Sequence, residues 1–451
     1  MASIRPAAVA GMFYPREPRA LAAAVRVLLG RVEQGSPRVG FPKALVVPHA
    51  GYVYSGPIAA RAYDALAGAR GLVRRVVLLG PVHRVPVRGL AAPSAQAFET
   101  PLGAIPIDHA ALRALQDLPQ VVKSDPAHAL EHSLEVQLPF LQTVLGEFAL
   151  VPLAVGMASV AEVAEVIERL WGGPETLVVI STDLSHYHSY EAARSVDAAT
   201  LARIAACATD IDHAEACGAT PLNGLLSFAK KRHIPVRLLG ACNSGDTAGD
   251  KDRVVGYSAF ALYEVSDADA GAVLVGIARG TIEEGLFGTR PDAYDAPWLG
   301  QPGATFVTLL KNGALRGCIG SLQAARPLAQ DVADNAAGAA FRDPRFPALS
   351  AMEWPQCEVE VSLLSVPWPV TFADEADLLR QIRPVEDGLI LESEGRRATF
   401  LPQVWESVPD KRLFLSQLLR KAGLPLDTAL ARCAISRYRV LKFGADRPDG
   451  R

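Results

Sequence analysis

Histidines and aspartates in the first half of the sequence follow directly after short apolar runs. The four runs and the residues after them are 44–47 with His49, 76–80 with His83, 177–180 with Asp183 and His186, and 236–240 with Asp246. Continuous Val/Ile/Leu runs are typical of parallel strands buried on both faces, and the carboxyl ends of such strands line the ligand crevice of an open α/β sheet. We therefore expect these side chains to converge at one edge of a sheet.

Two histidines and one carboxylate at such an edge fit a metal site. His49, His83 and Asp246 match the facial arrangement that holds Fe(II) and leaves positions open for substrate and O₂. His186 is then placed to act as an acid or base, with Asp183 orienting a ring nitrogen. The alternative for Asp183 is a structural role, as a cap of the following turn.

A second histidine pair suggests a different metal chemistry. His128-Ala129-Leu130-Glu131-His132 fits the H-x-x-E-H spacing of a zinc peptidase, which requires both histidines on one helical face and uses Glu131 as the general base. This segment follows Asp125-Pro126, where a helix would scarcely have begun, so the pattern is a weak indication. His132 can still face the crevice as a further acid or base.

The order of the elements predicts two domains. Strands alternate with helices up to about residue 265, which indicates a mostly parallel sheet flanked by helices. A helix is predicted from Glu131 through Phe140, and Asp108 is a predicted helix N-cap. Residues 266–270 are a predicted linker, and 271–446 read as a smaller α+β domain with an Asn312-Gly313 hairpin turn.

The composition agrees with two halves of different function. All nine histidines lie within the first 233 residues, whereas four of the five tryptophans follow residue 290. A net charge of −3 without a basic stripe argues against nucleic acid binding. No run approaches the ~18 apolar residues of a membrane span. Six cysteines spread over more than 200 residues without C-x-x-C spacing predict free thiols in a reducing cytoplasm.

One segment of the second half contains a side chain that could react. Leu315-Arg316-Gly317-Cys318-Ile319-Gly320 places a thiol between glycines, and Arg316 could lower its pKa. That half contains no histidine to serve as a base. A tight turn that buries a small thiol is the competing interpretation, so Cys318 is a weaker candidate than the histidines.

Six ordered motifs of the first half resemble the Memo family. They are 10–15 (AGMFYP), 48–52 (PHAGY), 80–83 (GPVH), 131–139 (EHSLEVQLP), 181–186 (STDLSH) and 243–246 (NSGD). The resemblance implies the fold of the class III extradiol dioxygenases, non-haem iron enzymes that open catechol rings. It also implies that His49 and His83 are metal ligands and that His186 is a site histidine. One member of the family has a cysteine as third metal ligand at the place that Asp246 takes in this chain, and this difference favours Fe(II) over copper.

The second half resembles the AMMECR domain. The residues that carry this likeness are 316–320 (RGCIG) and 343–347 (DPRFP). Chains of these two types are associated with a radical SAM protein in the AmmeMemoRadiSam system, so the resemblance implies such a partner. The sequence lacks C-x-x-x-C-x-x-C, and radical chemistry would therefore belong to that partner.

These observations lead to three functional hypotheses. The first is an Fe(II)-dependent oxidoreductase acting on a small chelating substrate, with copper or zinc as alternative metals. The second is a non-catalytic module that binds an acidic peptide or a partner in the same crevice. The third is a zinc hydrolase, which would need zinc on His128 and His132.

Overall fold

A computed structural model describes residues 3–32, 40–265, 267–288, 294, 296–365, 367–393, 395–426, 428–430 and 433–444. The chain forms two compact units, Met1–Glu33 with Phe41–Ser266 and Asp267–Arg451 with Gln34–Gly40. Among the described residues, no helix combines the length and the apolar character needed to cross a bilayer.

The first unit contains strands and helices in alternation. Its strands are β1 Ile4–Arg5, β2 Ala44–Val47, β3 Arg75–Pro81, β4 Leu90–Ala92, β5 Ala97–Thr100, β6 Gly103–Pro106, β7 Val121–Lys123, β8 Ala149–Val155, β9 Thr176–Ser181, β10 His186–His188, β11 Val236–Asn243 and β12 Val254–Leu262. Its helices are α1 Pro18–Gly30, α2 Tyr52–Asp64, α3 His109–Arg113, α4 Pro126–Ala129, α5 Leu138–Leu145, α6 Val160–Leu170, α7 Tyr190–Ala205 and α8 Ala219–Lys231.

The main sheet has the order β10-β12-β2-β9-β3-β8-β4-β7, and β11 pairs with β12. The centre of this sheet is parallel, since β2 pairs with β9, β9 with β3 and β3 with β8 in the same direction. Alternate residues of these strands enter two separate cores, as Leu45 and Val47 lie in one and Ala44 and Val46 in the other. The predicted sheet, buried on both faces, is therefore what the chain builds.

Strand β12 explains how the last apolar run departs from the expected arrangement. Phe260 of β12 pairs with Val46 of β2 and also with Leu238 of β11, both antiparallel. Strand β12 thus lies between β2 and β11. The carboxyl ends of β11 and β2 lie at the same edge of the sheet, and β12 lies between them.

The second unit is α+β, with two four-stranded antiparallel sheets. Its strands are β13 Pro302–Gly303, β14 Thr305–Lys311, β15 Ala314–Gly320, β16 Arg326–Pro327, β17 Cys357–Leu364, β18 Trp368–Pro369, β19 Gly388–Ser393, β20 Arg396–Phe400, β21 Ala434–Tyr438 and β22 Val440–Gly444. Its helices are α9 Asp267–Phe287, α10 Leu328–Phe341, α11 Glu375–Gln381, α12 Val404–Ser407 and α13 Lys411–Lys421. The sheets have the orders β15-β14-β17-β22 and β18-β21-β19-β20.

Several boundaries differ from those expected. Helix α9 begins at Asp267, so residues 267–270 of the predicted linker are helical, and Ser266 and residues 445–446 lie outside the described residues. The predicted helix from Glu131 is an irregular segment that becomes a 3₁₀ turn at Glu135–Gln137 and a helix only at Leu138. The Asn312-Gly313 turn forms as predicted, with positive φ at both residues.

Candidate metal site

Three histidines from separate segments meet beyond the ends of β2 and β3. One ring nitrogen each of His49, His83 and His132 lies within 4.8 Å of the other two. His49 follows β2, His83 follows β3, and His132 comes from the irregular segment before Glu135–Gln137. The ring centroids of His83 and His132 are 4.7 Å apart, and that of His49 is 5.3 Å and 5.4 Å from them. The described part of the chain adds no carboxylate or cysteine to this group.

Hydrogen bonds fix which nitrogen His49 offers. Its Nδ1 lies 2.9 Å from Ser181 Oγ, and that hydroxyl donates its own proton to the carbonyl of Ser133 at 2.6 Å. Ser181 Oγ can therefore only accept from His49, so Nδ1 carries the proton and Nε2 keeps its lone pair. Burial, together with His83 and His132, holds the pKa of His49 well below its usual value. The ring is thus neutral and able to bind a metal through Nε2.

A single buried carboxylate organises the other two histidines. Glu131 accepts hydrogen bonds from Nδ1 of His83 at 2.9 Å and from the backbone N–H of His83 at 2.6 Å. It also accepts from the backbone N–H groups of His132 and Ser133, at 2.9 Å each. Burial opposes its ionisation, but these donors and the charge of His83 lower the pKa of Glu131 to about 2. Because an ionised carboxylate only accepts, His83 is protonated on Nδ1 and presents Nε2.

His132 completes the cluster in a different role from that expected. Its Nδ1 lies 3.3 Å from Glu131 Oε1 and is buried without a hydrogen-bond partner among the residues described. Phe13 packs against the ring, with the centroids 4.8 Å apart. Burial lowers the pKa of His132 to about 4, so it too is neutral near neutral pH. Three imidazoles in contact are a donor set that fits zinc, copper, iron or nickel.

Asp246 does not join the three histidines. It lies in a 3₁₀ turn, Ser244–Asp246, where its Oδ2 accepts from the N–H of Asn243 at 2.9 Å and its Oδ1 from the hydroxyl of Tyr190 at 2.5 Å. Both oxygens therefore serve to close the turn after β11. The intervening strand β12 separates this turn from His49, so the expected two-histidine and one-carboxylate triad is replaced by a group of three histidines.

Asp183 and His186 lie beside the cluster. Oδ1 of Asp183 accepts from the backbone N–H of His49 at 2.8 Å, and Oδ2 is 3.9 Å from His49 Nε2. Burial raises the pKa of Asp183 to about 7, and the His49 N–H opposes that shift. His186 begins β10, is partly buried, and has a pKa lowered by burial and, in part, by the charge of His83. Both are titratable groups beside the histidines that could hold a metal.

Cys217 is a neighbour of the site that sequence reasoning missed. Its Sγ lies 3.4 Å from Nε2 of His49, and it accepts from the N–H of Asp183 at 3.3 Å. Since Nε2 carries the lone pair, the thiol donates to it. Burial raises the pKa of Cys217 to about 12, which keeps the thiol protonated. Its position just before α8 follows no apolar run, so it carried no signal of the kind that marked His49.

The H-x-x-E-H prediction is wrong because the helix that it requires is absent from this described segment. Helix α4 ends at Ala129, between the two histidines. His128 is buried and its Nε2 lies 2.9 Å from the carbonyl of Ala91, away from the three-histidine group. Glu131, the expected general base, instead holds His83 and the backbone of the following residues.

Cys318 lies in the second unit, and its surroundings differ from those expected. Arg316 is bound to Glu353 through Nε and Nη2, both at 3.2 Å, and to the carbonyl of Pro347. The guanidinium beside Cys318 is that of Arg345, which donates to the Cys318 carbonyl at 3.1 Å. The proposed activation by Arg316 is therefore not what the geometry provides.

Comparison with known proteins assigns both halves. The model of the family described as Memo-like protein matches residues 5–261, which is more than half of the chain. The chain belongs to the Memo-like family. The AMMECR1 family model matches residues 275–443, so the protein is a fusion of a Memo-like domain and an AMMECR1 domain.

Archaeal and bacterial Memo-family proteins are similar to the first half. A MEMO1 family protein of Methanopyrus kandleri is 38% identical over 278 residues, which cover 57% of this chain and 98% of that protein. A MEMO1 family protein of Aquifex aeolicus is 35% identical over 274 residues, covering 56% and 97%. Almost the whole length of each of these relatives aligns with the Memo-like half of the fusion.

Two solved structures each resemble part of the chain. An uncharacterized Pyrococcus horikoshii protein, PH0010, is 32% identical with a TM-score of 0.37, over 40% of this chain and 94% of that one. An uncharacterized Escherichia coli protein, JW3007, is 14% identical with a TM-score of 0.33, over 48% and 98%. At these TM-scores neither likeness bears on function.

Proposed function

We propose that the Memo-like half is a metal-dependent oxidoreductase, with Fe(II) held by His49, His83 and His132 and a small chelating substrate bound beside it. The observation that carries this proposal is the convergence of three histidine side chains, with one ring nitrogen of each within 4.8 Å of the others. A bound Fe(II) would supply the coordination and redox chemistry for substrate and O₂. Because imidazole also suits copper and zinc, the choice of iron is supported by the resemblance to extradiol dioxygenases and not by the ligand set.

The residues around the cluster support proton transfer. Asp183, whose pKa is raised to about 7, can exist in both protonation states near neutral pH. A substrate hydroxyl near His49 Nε2 would find the Asp183 carboxylate 3.9 Å from that nitrogen and His186 at the start of β10. In this proposal Asp183 accepts the proton that a chelating hydroxyl loses, and His186 returns a proton to the product.

Zinc hydrolysis is the second candidate, and one observation favours it. Three histidine ligands with one open position are also the ligand set of a catalytic zinc that binds water. This candidate now rests on His49, His83 and His132, since His128 lies apart. Asp183 would then serve as the general base toward the bound water.

Metal loading and turnover distinguish the two candidates. The full chain, prepared without metal, would receive Fe(II) under anaerobic conditions, or Zn(II), with bound metal measured by mass spectrometry. Oxygen uptake with a panel of catechols by the Fe(II) form supports the oxidoreductase, whereas ester cleavage by the Zn(II) form without oxygen uptake supports the hydrolase. His49→Ala should abolish either activity and the bound metal. If the His49→Ala variant binds as much metal per chain as the unmodified protein, the proposed metal site is wrong.

Two further outcomes concern partners. Tight binding of an acidic peptide that survives chelation, without turnover in either assay, would favour the non-catalytic module. We also propose a radical SAM protein as partner, on the resemblance alone. Its recovery with the fusion protein from the native host, and its loss when the second half is deleted, would support that interaction.

A further inference from the structure

Cys318 lies on a sheet face of the second unit that is not covered by helix α10. A Cβ on Gly317 would meet the carbonyl of Ala339, and Ile319 packs against Gly338, so both face α10. Successive residues of a strand point to opposite faces, so Cys318 points away from that helix. Thr308 lies opposite it on β14, with its hydroxyl 3.3 Å from Sγ. The thiol is partly exposed.

Arg345 is fixed beside this thiol by a carboxylate. Asp343 accepts from the N–H of Cys318 at 2.8 Å and from Nη2 and Nε of Arg345 at 2.7 Å and 3.0 Å. Arg345 in turn donates to the carbonyl of Cys318. This bidentate pair holds the pKa of Asp343 well below its usual range. The guanidinium is therefore held in place while half of its side chain remains exposed.

Lys421 is a second cation whose charge interacts with Cys318 and Arg345. It ends α13, and its Nζ donates to the carbonyl of Thr399 at 3.0 Å. Its pKa is lowered by burial and by Arg345, and raised by Cys318, so its charge acts on both. Asp343 offsets one of these two cations, which leaves the neighbourhood of Cys318 positive.

Arg316, two residues before Cys318 on β15, has a donor without an acceptor among the described residues. The Arg316 side chain is more than nine-tenths buried, and its Nη1 has no hydrogen-bond partner within the described segments. Its guanidinium lies 5.8 Å from the ring of Phe346, the same ring that Arg345 approaches at 5.6 Å. A buried donor without a partner costs free energy, and an anionic ligand would supply the acceptor.

We propose that Cys318 is a nucleophile toward a small anionic carbon electrophile, whose carboxylate or phosphate is held by Arg345 and Lys421. The thiol loses its proton to solvent, and the thiolate forms an S–C bond at the electrophilic carbon. The leaving group departs with the electron pair of the bond that breaks, so the step needs no oxidant. This site lies in the second unit and does not depend on the metal chemistry proposed above.

Paired alkylating agents test the proposal on the full chain. Iodoacetate is an anion and iodoacetamide is its neutral analogue, and both form an S–C bond with release of iodide. The alkylation rate of Cys318 would be measured by mass spectrometry of its peptide, in the native protein and in urea. We expect the iodoacetate-to-iodoacetamide rate ratio to be at least about threefold higher in the native protein, because two cations attract the anionic reagent.

Lys421→Met should reduce that ratio toward the value in urea, whereas Arg420→Met, an exposed neighbour on the same helix, should leave it unchanged. Added salt should lower the iodoacetate rate of the unmodified protein and spare the iodoacetamide rate. A native ratio equal to that in urea, without salt dependence, would overturn the proposal even if Lys421→Met fails to fold.

Discussion

At the scale of single residues, Glu131 is the side chain on which the metal site depends most. It binds the ring of His83 and the backbone of His132 and Ser133 with one carboxylate. Outer-shell partners of this kind set the tautomer and orientation of a ligand. Glu131 was expected to be a general base, because its spacing in H-x-x-E-H reveals nothing about which backbone groups surround it.

Glu131→Gln is expected to weaken metal binding by about 10- to 100-fold. The amide carries less negative charge and can donate as well as accept, so it no longer fixes the protonation of His83. Competition with a chromogenic chelator would measure the dissociation constant. Glu147→Gln, an exposed change in the same unit, is the matched control. Equal affinity in both variants would contradict the role of Glu131.

His132→Ala and Asp246→Ala separate the observed cluster from the triad expected from sequence. Loss of one of three ligands should reduce bound metal to well below one ion per chain, whereas Asp246 lies in a separate turn and its removal should leave metal content unchanged. Elemental analysis after gel filtration would give the stoichiometry. If Asp246→Ala loses metal and His132→Ala does not, the result would instead support the ligand triad expected from the sequence.

At the scale of elements, the apolar runs predicted the strands correctly. They did not predict which strands lie next to each other in the sheet. His49 and His83 follow β2 and β3, which lie on either side of β9, so their side chains converge. Asp246 follows an equally apolar run, yet β12 is inserted between β11 and β2. Strand order is set by pairing between distant segments, and no local pattern in the sequence encodes it.

The irregular segment that carries His132 depends on a close approach at Gly80. A Cβ at this position of β3 would lie 2.9 Å from Ser133 Oγ and 3.0 Å from Leu134 Cδ2. Gly80→Ala should therefore displace the residues next to His132 and weaken metal binding about tenfold, with all three ligands present. Gly30→Ala, where a Cβ meets no atom within 4 Å, is the control. Calorimetric titration with metal would show whether the two variants differ.

Helix α3 offers a test of stability that is independent of the metal. Asp108 caps it by accepting from the N–H of Ala111 at 2.9 Å and also binds Arg75 at 2.8 Å. Asp108→Ala should lower the free energy of unfolding by about 1 kcal/mol at neutral pH. Partial burial opposes ionisation, but these two donors lower the pKa of Asp108 overall.

The stabilisation by Asp108 should depend on pH. Because the folded pKa is lower than the unfolded value, the contribution is complete above the unfolded pKa of about 3.9 and is lost as the pH falls through the folded pKa. Urea unfolding of both proteins at neutral and acidic pH would measure it. A difference that grows on acidification would contradict this assignment.

At the scale of the whole molecule, the two units have separate cores. The sequence predicted two halves because all nine histidines lie within the first 233 residues and four of the five tryptophans follow residue 290. The surroundings of Cys318 were not predictable in detail, since Asp343 and Arg345 contact it from a segment 25 and 27 residues later in the chain.

Metal should stabilise one unit only. An ion that binds the folded state adds about 2.7 kcal/mol when its concentration is 100 times the dissociation constant. Hydrogen exchange followed by mass spectrometry should therefore show slower exchange in peptides from β2, β3 and β9, and unchanged exchange in those from β14 and β17. Slower exchange in the second set would reveal coupling between the units.

Hydrogen bonds within the protein, between Ser181 and His49 and between Glu131 and His83, fix the orientation of both rings. Imidazole ligands suit several cations that favour nitrogen donors, so metal availability contributes to which of them is bound. Protein overproduced in a zinc-rich medium should carry zinc, and the same chain grown with excess iron should carry iron. The composition of the culture, more than the chain itself, will decide which ion is recovered.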